Sequence, residues 1–184
     1  MNLILASASP RRAELLTQAG FEFIVDAADV DERVLVDESP DAYVERVALD
    51  KVRTVAARYP TNAVILAADT TVVADGETLG KPVDAADATR MLSLLSGNVH
   101  DVLTAVVVRG PAGELTDVVR TRVHFIELSA EDIAWYVRTG EPEGKAGAYA
   151  IQGRGARFVD WIEGSWSNVV GLPISTVYRL LGRP

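Results

Sequence analysis

Residues 7–12 read Ser-Ala-Ser-Pro-Arg-Arg. They follow the apolar run Leu3-Ile4-Leu5-Ala6 and precede the helical pattern Glu14–Gly20, so the spacing predicts strand, tight loop, helix. Pro10 suits the first helical turn, where its missing N–H costs nothing. Ser9 falls at the N-cap. Ser7, Ser9, unpaired backbone N–H groups, Arg11 and Arg12 then gather at one helix N-terminus. The helix dipole and the free donors favour an anion there, and guanidinium forks match phosphate oxygens. A plainer reading stays open, in which Ser9 is an ordinary cap and the arginines are solvated.

Lys51 is the second signal. In the helix from Ser39 to Tyr59, Val44, Val47, Ala48 and Val55 form one stripe, and Lys51 falls near its middle. A lysine there must snorkel, pair with an acid or point into a polar cavity. Asp69 follows the apolar run Ala63–Ala68. A carboxylate at the carboxyl end of a buried strand is where α/β folds place catalytic groups; an Asx-turn closing the strand is the alternative. Thr70 and Thr71 add hydroxyls. Glu32, in the acidic loop, offers with Asp69 hard oxygen ligands for Mg²⁺ or Mn²⁺, although acidic loops also serve as solvated charge runs. Gly80-Lys81-Pro82 fixes a lysine suited to phosphate. Gln152, in Ile151-Gln152-Gly153, has an amide able to donate and accept toward a base edge.

The elements that must position these groups alternate between strand and helix, as in an α/β protein. Phe21–Val25 reads as a strand and Asp26–Glu38 as a loop. The Ser39-Pro40 helix ends near Tyr59-Pro60. Ala63–Ala68 is a buried strand, and Thr71–Ala74 with Asp75-Gly76 a hairpin. Asp84 caps a helix to Leu95, with Gly97 past its end. Val99–Arg109 and Glu114–Leu128 form a long hairpin. Ser129 and Asp132 open a helix that Gly140 stops. Gly140–Gly155 reads as loop with a short strand at Ala148–Ile151. A strand at Phe158–Ile162 and a helix at Pro173–Leu181 close the chain.

Composition bounds the chemistry. A length of 184 residues suits a single domain spanning 1–184, and 48% hydrophobic residues support a sizeable core. No apolar run reaches membrane-span length, and no secretory signal is expected at the start. The absence of cysteine excludes disulfides, thiolate nucleophiles and cysteine-held zinc. A net charge of −8 disfavours binding to a nucleic-acid backbone, yet local cations can still focus on a small polyanion. His100 and His124 lie in the long hairpin without metal-like spacing, and read as ordinary strand residues. No P-loop or G-x-S-x-G elbow is present. Trp135, Trp161 and Trp166 read as packing residues.

Taken in order, Ala6-Ser7-Ala8-Ser9-Pro10-Arg11-Arg12, Asp31-Glu32, Ala48-Leu49-Asp50-Lys51, Ala68-Asp69-Thr70, Leu79-Gly80-Lys81-Pro82, Ala146–Gly153 and Asn168–Pro173 span nearly the whole chain. This ordered set resembles the Maf family of nucleoside triphosphate pyrophosphatases. The resemblance implies a Maf/inosine-triphosphatase-like α/β fold, a mixed sheet with flanking helices and two lobes around a cleft. It implies hydrolysis of a nucleoside triphosphate to the monophosphate plus pyrophosphate with a divalent cation, in a cytoplasmic protein of a kind that often forms homodimers; the composition adds the expectation of neither nucleic acid nor membrane as partner. Ile151-Gln152-Gly153 looks like the dTTP/UTP subgroup; the subgroup acting on 7-methyl-GTP usually carries an acidic residue at the Gln152 position. Arg12, Thr70 and Gln152 match positions associated with substrate choice. On this resemblance Asp69 is the general base, and Glu32 and Asp69 hold the metal. Arg11, Arg12, Lys51 and Lys81 bind the triphosphate, with Ser7 and Ser9 lending hydroxyls or loop geometry. Two other readings follow from the same family: a nucleotide-binding regulator of septum formation, and a pyrophosphatase for other non-canonical nucleotides.

Overall fold

A computed structural model describes residues 2–182. The described elements run β1 (Leu3–Leu5), α1 (Pro10–Gln18), β2 (Phe23–Val25), α2 (Pro40–Ala56), β3 (Val64–Ala74), β4 (Glu77–Leu79), α3 (Ala85–Leu95), β5 (Val99–Gly110), β6 (Gly113–Phe125), α4 (Ala130–Arg138), β7 (Val159–Glu163), α5 (Trp166–Val170) and α6 (Ile174–Leu180). Seven described strands form one mixed sheet in the order β2-β1-β3-β5-β6-β7, with β4 paired to β3. β1 pairs parallel with β2 and β3, while the β3–β4 and β6–β7 pairs are antiparallel. Parallel neighbours need crossovers, which α1 and α2 supply. The α/β expectation with a mixed sheet and flanking helices therefore holds.

The chain divides into two compact units. One comprises the chain up to Thr70, Thr104–Val119 and the chain from Gly171 on; the other comprises Thr71–Leu103 and Arg120–Val170. The boundary falls inside β3, β5 and β6. In the first unit, β1 is buried along its whole length, and the buried faces of α1 and α2 carry Leu15, Leu16, Val44, Val47, Val52 and Val55. The second unit has its own core around Leu92, Leu95, Phe125, Tyr136 and Phe158. Among the described residues no helix is long and apolar enough to cross a membrane.

Local signals fix most element ends. Ser39 caps α2 through Ala42 N–H, Asp84 caps α3 through Asp87 N–H, and Ser129 with Asp132 completes a capping box on α4. Four expectations need correction. β3 does not stop at Ala68: it runs unbroken from Val64 to Ala74, because Val72–Ala74 pair with β4. α2 ends at Ala56, before Tyr59. No strand exists at Ala148–Ile151, where Gly147 and Ala148 both take positive φ, a conformation that a strand cannot hold. Trp161 and Trp166 are exposed rather than packed in a core, with Trp161 stacked on His124 at 5.3 Å. The short helix α5 was not foreseen.

Candidate active site

β3 outruns its neighbour β1. The register pairs Leu5, the last residue of β1, with Leu66, and the Ala6 N–H donates to the Leu66 carbonyl at 2.8 Å. Asp69 therefore sits on a part of β3 that extends past the carboxyl end of β1. No Asx-turn closes the strand there, since the backbone stays extended through Asp69. Alternation along the strand sends Asp69 and Thr70 to opposite faces, and each meets a different helix.

On the Asp69 face stands Lys51 of α2. Its Nζ donates to Asp69 Oδ1 at 2.7 Å and pairs with Glu32 Oε1 at 2.7 Å. Lys51 and Asp69 are both buried, 7% and 6% exposed. The lysine seen in the apolar stripe thus pairs with acids rather than snorkelling. One ammonium draws together two carboxylates, one from the loop after β2 and one from β3. A buried charge is tolerable only when paired and hydrogen-bonded, which is the arrangement found.

Glu32 has no secondary structure beneath it, yet its segment is tied to α2. The Tyr43 hydroxyl donates to the Glu32 carbonyl at 3.0 Å. Arg46 donates to the Arg33 carbonyl at 2.9 Å and to Glu38 through Nε at 2.6 Å. The Arg46 guanidinium holds the Glu38 carboxyl down at about 2. Burial, reinforced by the charges of Asp69 and Glu32, pushes the Tyr43 phenol well above its ordinary range, so it remains a donor. Arg46 lies off the apolar stripe and reads in the sequence as solvated face, whereas it holds Glu38 and the Arg33 carbonyl; Tyr43, also on α2, carries no sequence signal for its part.

On the Thr70 face stands Arg12 of α1, 8% exposed. Its Nε donates to the Gly171 carbonyl at 2.8 Å, its Nη1 to Ser7 Oγ at 3.1 Å and its Nη2 to Thr70 Oγ1 at 3.1 Å. Thr70 Oγ1 also meets Thr104 Oγ1 at 2.9 Å. Burial lowers the guanidinium pKa, with the nearby Asp69 carboxylate opposing that shift. Each of the three guanidinium nitrogens therefore holds a partner within the protein. Arg12 also occupies the buried face of α1 with Leu15 and Leu16, an i, i+3, i+4 spacing that could have revealed it as interior. Gly171 supplies its carbonyl at φ +122°, where a side chain would be strained.

Ser7, Arg12, Glu32, Lys51, Asp69 and Thr70 are thus brought together in the first unit. Ser9 stands at the N-cap of α1 in extended conformation, but its hydroxyl caps nothing; instead its N–H donates to Ser7 Oγ at 3.2 Å. Arg11 is half-buried in the first turn of α1. Lys81 and Gln152 belong to the second unit. Lys81 is exposed, in a loop pinned where the Gly147 N–H donates to the Gly80 carbonyl at 3.1 Å. Gln152 is half-buried in the turn after Ala150.

Comparison with known proteins covers the whole chain. The family model described as Maf-like protein matches residues 2–183. A dTTP/UTP pyrophosphatase of Koribacter versatilis is 53% identical over 183 residues, covering 100% of this chain and 94% of that protein. One from Myxococcus xanthus is 54% identical over 181 residues, covering 98% of this chain and 91% of that protein. Among solved structures, the Staphylococcus aureus Ham1 protein aligns at a TM-score of 0.46 and 17% identity, covering 70% of this chain and 72% of that one, too distant to carry argument.

Proposed function

The chain belongs to the Maf family, and from that premise we propose that it hydrolyses dTTP and UTP to the nucleoside monophosphate and pyrophosphate. The observation that carries this reading is the buried Lys51 ammonium at 2.7 Å from both Asp69 and Glu32. It supports a reading in which Asp69 serves as the base and Lys51 as a cation for the triphosphate. Relatives at 53% and 54% identity over nearly the full chain bear the name dTTP/UTP pyrophosphatase, which supports the substrate class.

In the step we propose, water attacks the α-phosphorus and its proton passes to the Asp69 carboxylate. A new P–O bond forms, the bridging bond from the α-phosphorus breaks, and pyrophosphate leaves with that electron pair. Lys51, Lys81 and Arg11 neutralise charge on the triphosphate and on the departing pyrophosphate. Arg12 takes a different part from the one its type suggests. With its nitrogens donating to Gly171, Ser7 and Thr70, it fixes the loop of Ser7 and Ser9 and the Thr70 hydroxyl, and it acts on substrate through them. Gln152 contacts the base.

Glu32 and Asp69 fit a divalent cation: each already turns an oxygen toward one shared positive charge, as hard cations require. Among the described residues no group of three or more His, Cys, Asp or Glu is placed to hold a metal ion. A cation held here must complete its shell with water and phosphate oxygens, a habit of Mg²⁺ more than of Ca²⁺. When bound it supplies charge stabilisation on the phosphates. A homodimeric state and a cytoplasmic location complete the proposal.

The test is incubation with a panel of nucleoside triphosphates and Mg²⁺, with both products identified. Monophosphate plus pyrophosphate is expected. Diphosphate plus orthophosphate would refute the bond assignment, and tight binding without turnover would favour a nucleotide-binding regulator instead.

A further inference from the structure

Glu141 follows Gly140, the residue that closes α4, and its carboxylate is the hub of the turn that carries Gln152. Oε1 accepts the Tyr136 hydroxyl at 2.8 Å and the Gly155 N–H at 3.0 Å, and Oε2 accepts the Arg154 N–H at 3.0 Å. The Tyr136 hydroxyl in turn accepts the Ala150 N–H at 3.0 Å. Backbone donors on both sides of Gln152 are thus tied to one phenol–carboxylate pair. Tyr136 is fully buried, its ring edge-on to Phe158 at 5.1 Å, so the anchor belongs to the core of its unit.

The turn wraps this anchor without slack. A Cβ on Gly153 would fall 2.5 Å from Glu141 Oε2, and one on Gly155 2.7 Å from the Ala150 carbonyl oxygen. Burial pushes the Glu141 carboxyl up, but the two backbone N–H groups and the Tyr136 hydroxyl outweigh it and leave it lowered. The acceptor is therefore a charged one, and hydrogen bonds to it are stronger than neutral ones. All three donors require acceptors, two at Oε1 and one at Oε2. Only a carboxylate offers both oxygens, because a carboxamide would turn an NH₂ against one of the N–H groups.

We propose that Glu141 is a positioning residue for nucleobase selection: through Tyr136 and the turn at 150–155 it fixes where the Gln152 amide stands. The proposal rests on the reading of Gln152 as the base contact. A side chain that reads a base edge discriminates only when its backbone is held, since a mobile turn lets the amide follow either ligand. Neither Glu141 nor Tyr136 needs to touch the nucleotide.

The experiment compares kcat/KM for dTTP and for 7-methyl-GTP in wild type, Glu141→Gln, Tyr136→Phe and Gln152→Ala. Tyr136→Phe keeps the packed ring and removes only the hydroxyl, so it serves even where Glu141→Gln fails to fold. The expected result is a dTTP preference reduced about three- to tenfold in Glu141→Gln and in Tyr136→Phe, the range that losing one or two hydrogen bonds supplies. The loss should fall mainly on KM for dTTP. An equal loss on both substrates, or an unchanged ratio in the folded variants, would overturn the proposal, because a purely structural role lowers both alike. Gln152→Ala separates the two levels. A wild-type ranking there refutes the base-reading role and the proposal with it. An altered ranking there, with wild-type ranking in Glu141→Gln and Tyr136→Phe, refutes the brace alone.

Discussion

Lys51 and Asp69 meet at 2.7 Å although they lie 18 residues apart on a helix and a strand. The contact exists because α2 lays its apolar stripe on the sheet, with Lys51 inside that stripe, where β3 has passed the end of β1. A cation placed there meets Asp69 rather than another aliphatic chain. Glu32 completes the arrangement from the loop.

Asp69→Asn is expected to remove most turnover while leaving the fold in place. The amide keeps the shape and can still accept from Lys51, and Lys51 retains Glu32 as a counter-ion. What disappears is the proton acceptor, a loss on the order of 10²–10⁴-fold for a general base. Pyrophosphate release measured beside a circular dichroism melt checks both halves. Turnover near wild type would remove Asp69 from the role.

Arg12→Lys tests whether Arg12 is a clamp or a substrate ligand. Three guanidinium nitrogens serve three separate acceptors, and one ammonium cannot reach all of them. Buried acceptors left without partners cost about 1–3 kcal/mol. In a chain of this length that corresponds to a melting point lower by roughly 2–4 °C for each kcal/mol. A clamp predicts that the melting point and activity fall together. An unchanged melting point with weakened nucleotide binding would return Arg12 to the phosphates.

How much of this was legible in the chain depends on the range of the interaction. Lys51 was readable because helical periodicity is local: its place in the stripe follows from the residues around it. The caps Ser39, Asp84 and Ser129 were readable for the same reason. For Arg12 only the burial was readable, through its spacing with Leu15 and Leu16; what it holds was not, since its partner Gly171 lies 159 residues away. Asp69-Thr70-Thr71 resembles a turn until β4 is known to pair beyond it. Glu141 directly follows a helix stop, where a solvated acid is ordinary, and only the folded turn reveals its three donors. Ala148 misled because a run of small and aromatic residues suggests a strand, whereas positive φ at two successive positions rules one out.

His100 predicts a pH signature independent of catalysis. It is 2% exposed, with its ring edge-on to Phe125 at 5.0 Å and its Nε2 at 2.9 Å from the Tyr149 hydroxyl. Burial holds its pKa down at about 3. The folded protein therefore keeps the imidazole neutral at pH values where the unfolded chain protonates it. The stability this provides is complete above the unfolded value near 6.5 and is lost as pH falls toward 3. Within that window the slope amounts to about 1.4 kcal/mol per pH unit for one proton. His100→Phe should flatten the acid limb of the stability curve by that single-proton slope, whatever its effect on absolute stability. Urea titrations at pH 4, 5, 6 and 7 would measure it, and identical slopes would refute the assignment.

The segment holding Glu32 offers the last test. Its fixed points are the Lys51 ammonium on the Glu32 carboxylate, the Tyr43 hydroxyl on the Glu32 carbonyl and the Arg46 guanidinium on Arg33 and Glu38. Between them Val36 is 92% exposed and Arg33 carries an exposed side chain, so burial contributes little to holding this stretch. Order there must come from the ion pair to Lys51 and the hydrogen bonds, and local opening should respond to each one. Tyr43→Phe removes one donor and leaves the ring on α2. A lost hydrogen bond changes an opening equilibrium by about 2- to 12-fold. Trypsin cleaves after Arg33 only when the segment opens, so cleavage there should quicken by that factor in Tyr43→Phe, with helix content unchanged. The same variant should bind Mn²⁺ more weakly without nucleotide, because Glu32 then spends less time beside Asp69. Wild-type cleavage with weakened binding would mean that Tyr43 acts on the carboxylates by another route than the loop.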